Sequence, residues 1–259
     1  METIDLNITD TRAELLFNRP EVLNAANNQW VEDLHAALDE LEAADRLRVV
    51  IVSGRGRAFC TGIDLQALSS GEIQIGWFRR WEDAMRRLEV LQPVTIARVQ
   101  GYALGGGLQV ALACDLRIAG EDAQFGLPAV LEALIPGTGT YRLPRFIGLG
   151  RARRMIVTGE TVGAQEALEI GLADWVVPAQ ELIPQTERIA QGVMEGSRTA
   201  QYLSKRLAAI SFETGLNSFC NLYLDYQAQA LASEDHREAM ERLREKRRKK
   251  LSERPTAIT

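Results

Sequence analysis

Apolar and polar positions follow two different periods along the chain. Continuous apolar runs and two-residue alternation predict strands at residues 3–8, 13–17, 48–52, 94–99, 116–119, 124–128 and 174–177. Stripes that recur every three to four residues predict helices at 29–44, 78–91, 151–158 and 164–170. Strands that alternate with helices in this order are typical of an α/β protein with parallel strand pairing.

Three details of this pattern bear on the architecture. Residues 3–8 and 13–17 are expected to pair as a hairpin, because Asp10 and Thr11 offer a turn between them. Residues 124–128 are expected to form a short edge strand, and the segment from Ser69 to Trp77 a mobile loop.

The last part of the chain contains no strand pattern. Helices are predicted at about 181–195, 198–210, 213–232 and 235–250. We therefore divide the chain into a core at 1–195 and a helical region at 196–259. A helical region of this length must bury its apolar face on the core or on another subunit.

Composition indicates an ordinary soluble globular protein, with 46% apolar and 25% charged residues among 259. The net charge of −5 favours neither nucleic acid nor an anionic membrane as partner. No apolar run approaches the roughly 18 residues that a membrane span needs. The acidic start, with Glu2 and Asp5, does not predict a signal peptide, so a cytoplasmic location is expected. The basic stretch from Arg242 to Lys250 is interpreted as a solvated helix face, with contacts to phosphate groups as the alternative.

Few residues are available for metal binding or nucleophilic catalysis. The cysteines Cys60, Cys114 and Cys220 are widely separated, which is typical of reduced thiols. The two histidines, His35 and His236, show no metal-ligand spacing, and no metal site is predicted. Acid–base chemistry must therefore come from carboxylates, tyrosine, lysine or bound water.

The stretch Gly101–Gly107 contains three consecutive glycines after a predicted strand and directly before a short apolar helix. Glycine lets a backbone approach a ligand closely, and a helix N-terminus offers unpaired N–H groups. Such a place can hold a buried negative charge, for example an enolate oxygen. A tight turn packed against a sheet is the alternative, and the stretch alone leaves both interpretations open. Ala58–Leu65 also follows a strand end, where open α/β sheets place ligands.

Several stretches, in this order and spacing, resemble the crotonase, or enoyl-CoA hydratase/isomerase, superfamily. The stretches that carry the resemblance are Asn18–Pro20, Leu23–Ala25, Gly56–Leu65, Gly101–Gly107, Ala111–Asp115, Phe125–Pro128, Ile135–Gly137, Arg142–Arg145, Gly163–Ala167, Gly171–Leu172 and Ser233–Asp235. The resemblance covers essentially the whole chain. It implies a spiral of ββα units with a C-terminal helical region, assembled as a homotrimer or as a hexamer of two trimers.

The resemblance also implies a substrate class and a set of site residues. The substrates are acyl-CoA or related thioesters of fatty acid metabolism, with coenzyme A entering as part of the substrate and no tightly bound cofactor. The backbone N–H groups of Ile63 and Gly106 would form an oxyanion hole. The residues expected to contact the substrate or its coenzyme A are Ala25, Ala26, Asp64, Leu65, Gln66, Ala129, Gly137 and Tyr141.

The sequence departs from the family where the hydratases carry two glutamates around one water. These positions hold Gln109 and Ala129, so neither can transfer a proton as a carboxylate does. Glu132 is the nearest replacement, three residues after Ala129. A dry pocket around Glu132 would raise its pKa towards a useful range. The alternative is that Glu132 faces solvent or forms a salt bridge.

The expected activity is therefore an acyl-CoA-processing enzyme of this family that stabilises an enolate and lacks both usual hydratase glutamates. Isomerisation, decarboxylation or hydrolysis of a specialised thioester stays open as the reaction. A non-catalytic acyl-CoA-binding protein is the alternative outside enzymology.

Overall fold

The computed structural model describes the backbone of residues 1–252 and the side chains through residue 249. Its strands are β1 Ile4–Ile8, β2 Arg12–Phe17, β3 Val49–Gly54, β4 Val94–Val99, β5 Tyr102–Leu104, β6 Leu116–Gly120, β7 Gln124–Gly126, β8 Thr161–Gly163 and β9 Trp175–Val177. Its helices are α1 Asn28–Ala43, α2 Leu65–Ser69, α3 Ile75–Val90, α4 Gly106–Ala113, α5 Gly139–Ile147, α6 Leu149–Thr158, α7 Ala164–Glu169, α8 Leu182–Glu195, α9 Arg198–Ile210, α10 Leu216–Ala232 and α11 Glu234–Ser252.

The larger sheet has six strands in the order β1-β2-β3-β4-β6-β9. β1 and β2 form the predicted hairpin, with Ile4 opposite Phe17, and every later pairing in this sheet is parallel. β3 is buried along its whole length, as a strand covered on both faces must be. The expected α/β class with parallel pairing is confirmed.

A second sheet explains the ββα repeat. It contains three strands in the order β5-β7-β8, so β4 and β5 belong to different sheets and α4 follows them. Strand β7 lies between its two neighbours, and the expectation of an edge strand at 124–128 was wrong. The pattern missed this because each strand of the second sheet has only three residues, too few to show a period.

Helix α3 differs most from its prediction. It begins at Ile75, so Trp77 belongs to the helix, where it is buried, and the loop expected at 69–77 is shorter. The buried stripe of α3 starts at Trp77 and continues through Trp81 to Leu88. Tyr102–Leu104, expected to be part of a glycine loop, forms strand β5 instead.

The chain divides into two compact units, one from Met1 to Val193 and one that begins at Met194. The first contains both sheets and the apolar core, and the second contains α9, α10 and α11. The division predicted from the sequence lies between residues 195 and 196. The side chains of α11 from Arg242 to Lys249 are exposed, as expected for a solvated helix face. Within residues 1–252, no helix combines the length and apolar character required to cross a bilayer.

Asn24 joins the two loops that follow β2 and β3. It is completely buried and adopts a left-handed backbone conformation with φ of 58°. Its Nδ2 donates to the carbonyl oxygens of Arg55, Ala58 and Phe59 at 3.0, 2.9 and 3.2 Å. Its Oδ1 accepts from the Arg19 amide at 2.9 Å. A single side chain therefore satisfies the backbone of both flanking loops.

Replacing Asn24 with Ala is expected to lower the free energy of unfolding by about 3 kcal/mol, because buried backbone groups lose their partners and alanine is strained at positive φ. Urea denaturation measures the change. Asn28→Ala is the matched control, since the Asn28 side chain is exposed and makes one hydrogen bond at 3.3 Å. An Asn24→Ala protein as stable as this control would contradict the prediction.

Candidate active site

A cavity of about 470 Å³ opens where the loops after β2 and β3 meet helices α3 and α4. Its walls also include the segment from Pro128 to Gly137, which starts with a short 3-10 turn, Pro128–Glu132. The cavity lies entirely within the first unit. Its lining is mostly apolar, with Trp77, Phe78 and Trp81 on the side of α3.

Close backbone contact shapes one end of the cavity. A side-chain carbon at Gly107 would lie 1.9 Å from the Cys60 carbonyl oxygen, and one at Gly62 would lie 2.6 Å from the Gly106 nitrogen. Neither position can hold a larger residue without movement of the backbone. Gly62 also has φ of 92°, a conformation that glycine adopts readily. The loop after β3 therefore lies directly against the N-terminus of α4.

This contact places two unpaired amides on the same cavity. Gly106 is the first residue of α4, so its N–H has no partner within the helix. Ile63 pairs with Ala26, but the two hydrogen bonds run from Ala26 N to Gly62 O and from Asp64 N to Ala26 O. Within residues 1–252 neither the Ile63 nor the Gly106 amide donates to a protein acceptor. Both residues line the cavity, as an oxyanion hole requires.

An aromatic stack forms the floor of this site. Trp30, Trp81 and Trp77 stack in sequence, with ring centroids 5.3 and 5.1 Å apart. A side-chain carbon at Gly106 would lie 2.8 Å from the Trp81 ring. Any substitution at Gly106 therefore displaces Trp81 as well as altering the amide.

Ten of the twelve residues predicted for the site line the cavity. They are Ile63, Gly106, Gln109 and Glu132, together with Ala25, Asp64, Leu65, Gln66, Ala129 and Gly137. Ala26 does not line it, because it is fully buried and contributes only its backbone pairing with Ile63. Tyr141 is not brought to the cavity either, and its ring lies 3.3 Å from the Arg145 guanidinium carbon.

The Asp64 side chain has a structural role that the sequence did not reveal. Its Oδ1 accepts from the amides of Gln66 and Ala67 and so caps α2. Its Oδ2 forms an ion pair with Arg19 at 3.0 Å. Only the backbone of Asp64 therefore remains available for contact with a ligand.

Glu132 and Ala129 share one side of the 3-10 turn, as their three-residue spacing predicts. A dry pocket, one of the two interpretations left open for Glu132, is not found, because Glu132 is exposed and the neighbouring Leu131 is 70% exposed. The solvent-facing alternative describes Glu132 in this chain.

Sequence analysis missed another carboxylate on the cavity wall, Glu82 of α3. Its side chain accepts from Thr138, 56 residues away, at 3.0 Å. The signal was available in the Trp77–Trp81 spacing, which places Glu82 at the border of the buried stripe of α3. The helix predicted from the sequence began at residue 78, so Trp77 was left out and the stripe could not be recognised.

The fold is thus a two-sheet α/β fold with two unpaired amides on one apolar cavity. The sequence profile of the family described as enoyl-CoA hydratase/isomerase matches residues 8–254. The chain belongs to the enoyl-CoA hydratase/isomerase family.

The similarity to relatives and to solved structures covers almost the full chain. The crotonyl-CoA hydratase of Syntrophomonas wolfei is 33% identical over 252 residues, which cover 95% of this chain and 96% of that protein. The short-chain-enoyl-CoA hydratase of Clostridium acetobutylicum is 33% identical over 91% of this chain and 92% of its own. The crystal structure of an enoyl-CoA hydratase from Bacillus anthracis is 32% identical, with a TM-score of 0.89 over 95% of this chain and 97% of that chain.

Cys60 lies against Gly62 and Gly107, beside the cavity wall, and is not available as a nucleophile. Its thiol donates to the Asn24 carbonyl oxygen at 3.2 Å, and the sulfur accepts from the Gly62 amide at 3.4 Å. Burial raises the pKa of the Cys60 thiol from 9.0 to about 12. The folded protein therefore keeps this thiol protonated, and its stabilising effect is lost as pH rises from 9 towards 12.

Iodoacetamide at pH 8 is expected to leave Cys60 unmodified until the protein unfolds, because Cys60 is buried and alkylation requires an accessible thiolate. Peptide mass spectrometry of native and urea-treated samples measures the modification. Modification of Cys60 in the native protein at the rate found in the urea-treated protein would contradict the assignment.

Proposed function

We propose that this protein is an enzyme that acts on acyl-CoA thioesters and stabilises an enolate with the Ile63 and Gly106 amides. The observation that carries the proposal is the pair of unpaired N–H groups on one apolar cavity. Such donors act strongly in a water-poor site because they are already oriented before charge develops. Membership of the family and the hydratase relatives supply the substrate class.

The thioester carbonyl would accept from both amides, and coenzyme A would extend along Ala25, Leu65 and Gln66. These three residues line the cavity on the side of α2, and Leu65 is 55% exposed. Coenzyme A would enter and leave as part of the substrate. We propose no further cofactor, because proton transfer at an enolate balances without electron donors or acceptors.

The residues at the two usual glutamate positions support α-proton chemistry rather than the ordinary hydration mechanism. Gln109 donates hydrogen bonds but does not accept a proton near neutral pH, and Ala129 does neither. Isomerisation requires a single group that removes and returns one proton, and is the reaction we favour.

We also propose a trimer-based assembly, as a homotrimer or a hexamer. Large apolar side chains on α10 support it, because Leu216, Leu224 and Leu231 are 75%, 60% and 53% exposed. Apolar exposure of this extent on one helix is typical of a surface that meets another chain. Analytical ultracentrifugation is expected to give a mass three or six times that of the 28.7 kDa chain, and a monomer would refute this proposal.

The oxyanion role is tested at Ile63, because changes at Gly106 also disturb Trp81. Ile63→Pro removes the amide without breaking the pairing with Ala26, whose hydrogen bonds use Gly62 and Asp64. It is expected to lower the rate of deuterium exchange into crotonyl-CoA in heavy water by about 10²-fold or more.

Ile63→Ala is the matched control, since it shortens the same side chain and keeps the N–H. It should retain exchange within a few-fold, and circular dichroism should show both variants folded. Equal rates in the two variants would refute the oxyanion role. Wild-type protein that binds crotonyl-CoA and exchanges no deuterium would favour a non-catalytic acyl-CoA-binding protein.

A further inference from the structure

Glu82 projects from α3 into the cavity that contains Ile63 and Gly106. Its Oε1 accepts from the Thr138 N–H at 3.0 Å, and its Oε2 accepts from the Thr138 hydroxyl. Both oxygens act as acceptors, which is the pattern of an ionised carboxylate. Among the side chains of residues 1–249, no cation forms an ion pair with Glu82.

The nearest positive charge in this network is directed elsewhere. Arg142 is buried, and its guanidinium forms an ion pair with Glu89 at 2.7 Å. It also donates to the Thr138 hydroxyl oxygen, which leaves the hydroxyl proton for Glu82. Arg142 and Thr138 therefore hold the Glu82 carboxylate in one position while its charge is left without a counter-ion.

Glu82 lies next to the side chain that replaces the first hydratase glutamate. A side-chain carbon at Gly137 would lie 2.1 Å from Glu82 Oε1 and 3.1 Å from Gln109 Oε1. Gly137 has φ of 46°, so this crowded position also favours glycine by conformation. Gln109 is three residues after Gly106 on α4, a spacing that places both on one helix face. The carboxylate is thus adjacent to Gln109 and near the oxyanion site.

Gln109 has a fixed orientation and an unused donor. Its Oε1 accepts from Trp81 Nε1 at 3.4 Å, and because the indole N–H only donates, the amide oxygen must face it. The Gln109 side-chain amide nitrogen has no protein acceptor among residues 1–249, and Gln109 lines the cavity. A ligand or bound water in the cavity can therefore accept from this nitrogen.

We infer that Glu82 is the proton-transfer group of this site, and that the substrate is a thioester with an uncharged, unsaturated acyl group. This inference rests on the proposed function. For a 3-enoyl thioester, Glu82 accepts the proton from C2 and the C–H electron pair forms a dienolate. Its oxygen accepts from the Ile63 and Gly106 amides. The Glu82 carboxylic acid then returns the proton to C4, which leaves a C2=C3 double bond and regenerates the carboxylate.

The charge of the cavity selects the acyl group. Its ionisable lining residues are Asp64, which is paired with Arg19, and the two glutamates Glu82 and Glu132. None of the described lining residues is lysine, arginine or histidine. A carboxylated acyl group would lie near Glu82 without a cationic partner on the cavity wall, which is unfavourable away from bulk water. An uncharged acyl chain instead meets the apolar faces of Trp77 and Phe78.

The test uses trans-3-hexenoyl-CoA in heavy water, with mass spectrometry of both double-bond position and deuterium content. Glu82→Gln is expected to lower kcat by about 10²-fold or more while KM changes by less than about threefold. Asp83→Asn is the matched control on the same helix, because Asp83 is 63% exposed and does not line the cavity. It should match the wild type.

Glu132→Gln is measured in parallel, since Glu132 is the replacement carboxylate that the sequence suggested. If Glu132→Gln loses turnover while Glu82→Gln keeps normal turnover, the inference is overturned and the proton-transfer role belongs to Glu132. Normal isomerisation in the Glu82 variant alone would overturn it without affecting the oxyanion proposal, whereas an inactive wild type would overturn both. In competition, butyryl-CoA should inhibit at least about tenfold more strongly than succinyl-CoA, and the reverse order would overturn the assigned acyl class.

Discussion

Two backbone segments approach each other so closely at the N-terminus of α4 that only glycine fits between them. Gly62 on one segment and Gly107 on the other leave no space for a side-chain carbon against the facing backbone. Parallel pairing of Cys60 with Ala103 keeps the segments in register. Because the contact is made by backbone, the amides of Ile63 and Gly106 have fixed positions that do not depend on side-chain rotamers. Every chemical role assigned to the cavity depends on this contact.

The aromatic stack connects that contact to Gln109 and Glu82. Trp81 packs over Gly106 with its ring and donates to Gln109 with its indole N–H. Its neighbour on α3, Glu82, then meets Thr138 on the opposite segment of the cavity wall. The register of one helix thus determines where the ring and the carboxylate lie. A shift of α3 by one residue would move both, so the helix that the sequence pattern described least accurately is the one that positions Trp81 and Glu82.

Sequence alone predicted the parts of the molecule that are local or repeated. The β1–β2 hairpin and the parallel strands follow from apolar runs, and the site residues from Ile63 to Gln109 follow from motifs beside those strands. The contact between Glu82 and Thr138 could not be predicted from such patterns, because the two residues are 56 positions apart and no sequence period connects them. Asp64 shows that a residue's place can be predicted while its contacts cannot. Its place at the cavity was predicted, whereas its capping of α2 and its ion pair with Arg19 depend on three-dimensional contacts.

The cavity wall contains the carboxylate of Glu82, while Gln109 and Ala129 stand where the family resemblance led us to expect the two hydratase glutamates. A glutamate at position 109 would place a second negative charge beside Glu82, across Gly137. Two carboxylates at that separation would compete for one proton. The amide of Gln109 avoids this repulsion and still accepts from Trp81. Gln109 and Glu82 are therefore best understood as one arrangement, in which the neutral side chain on α4 is the condition for a charged one on α3. In the proposed mechanism, that arrangement would provide one proton acceptor beside the Ile63 and Gly106 amides, which matches the movement of a single proton better than the addition of water.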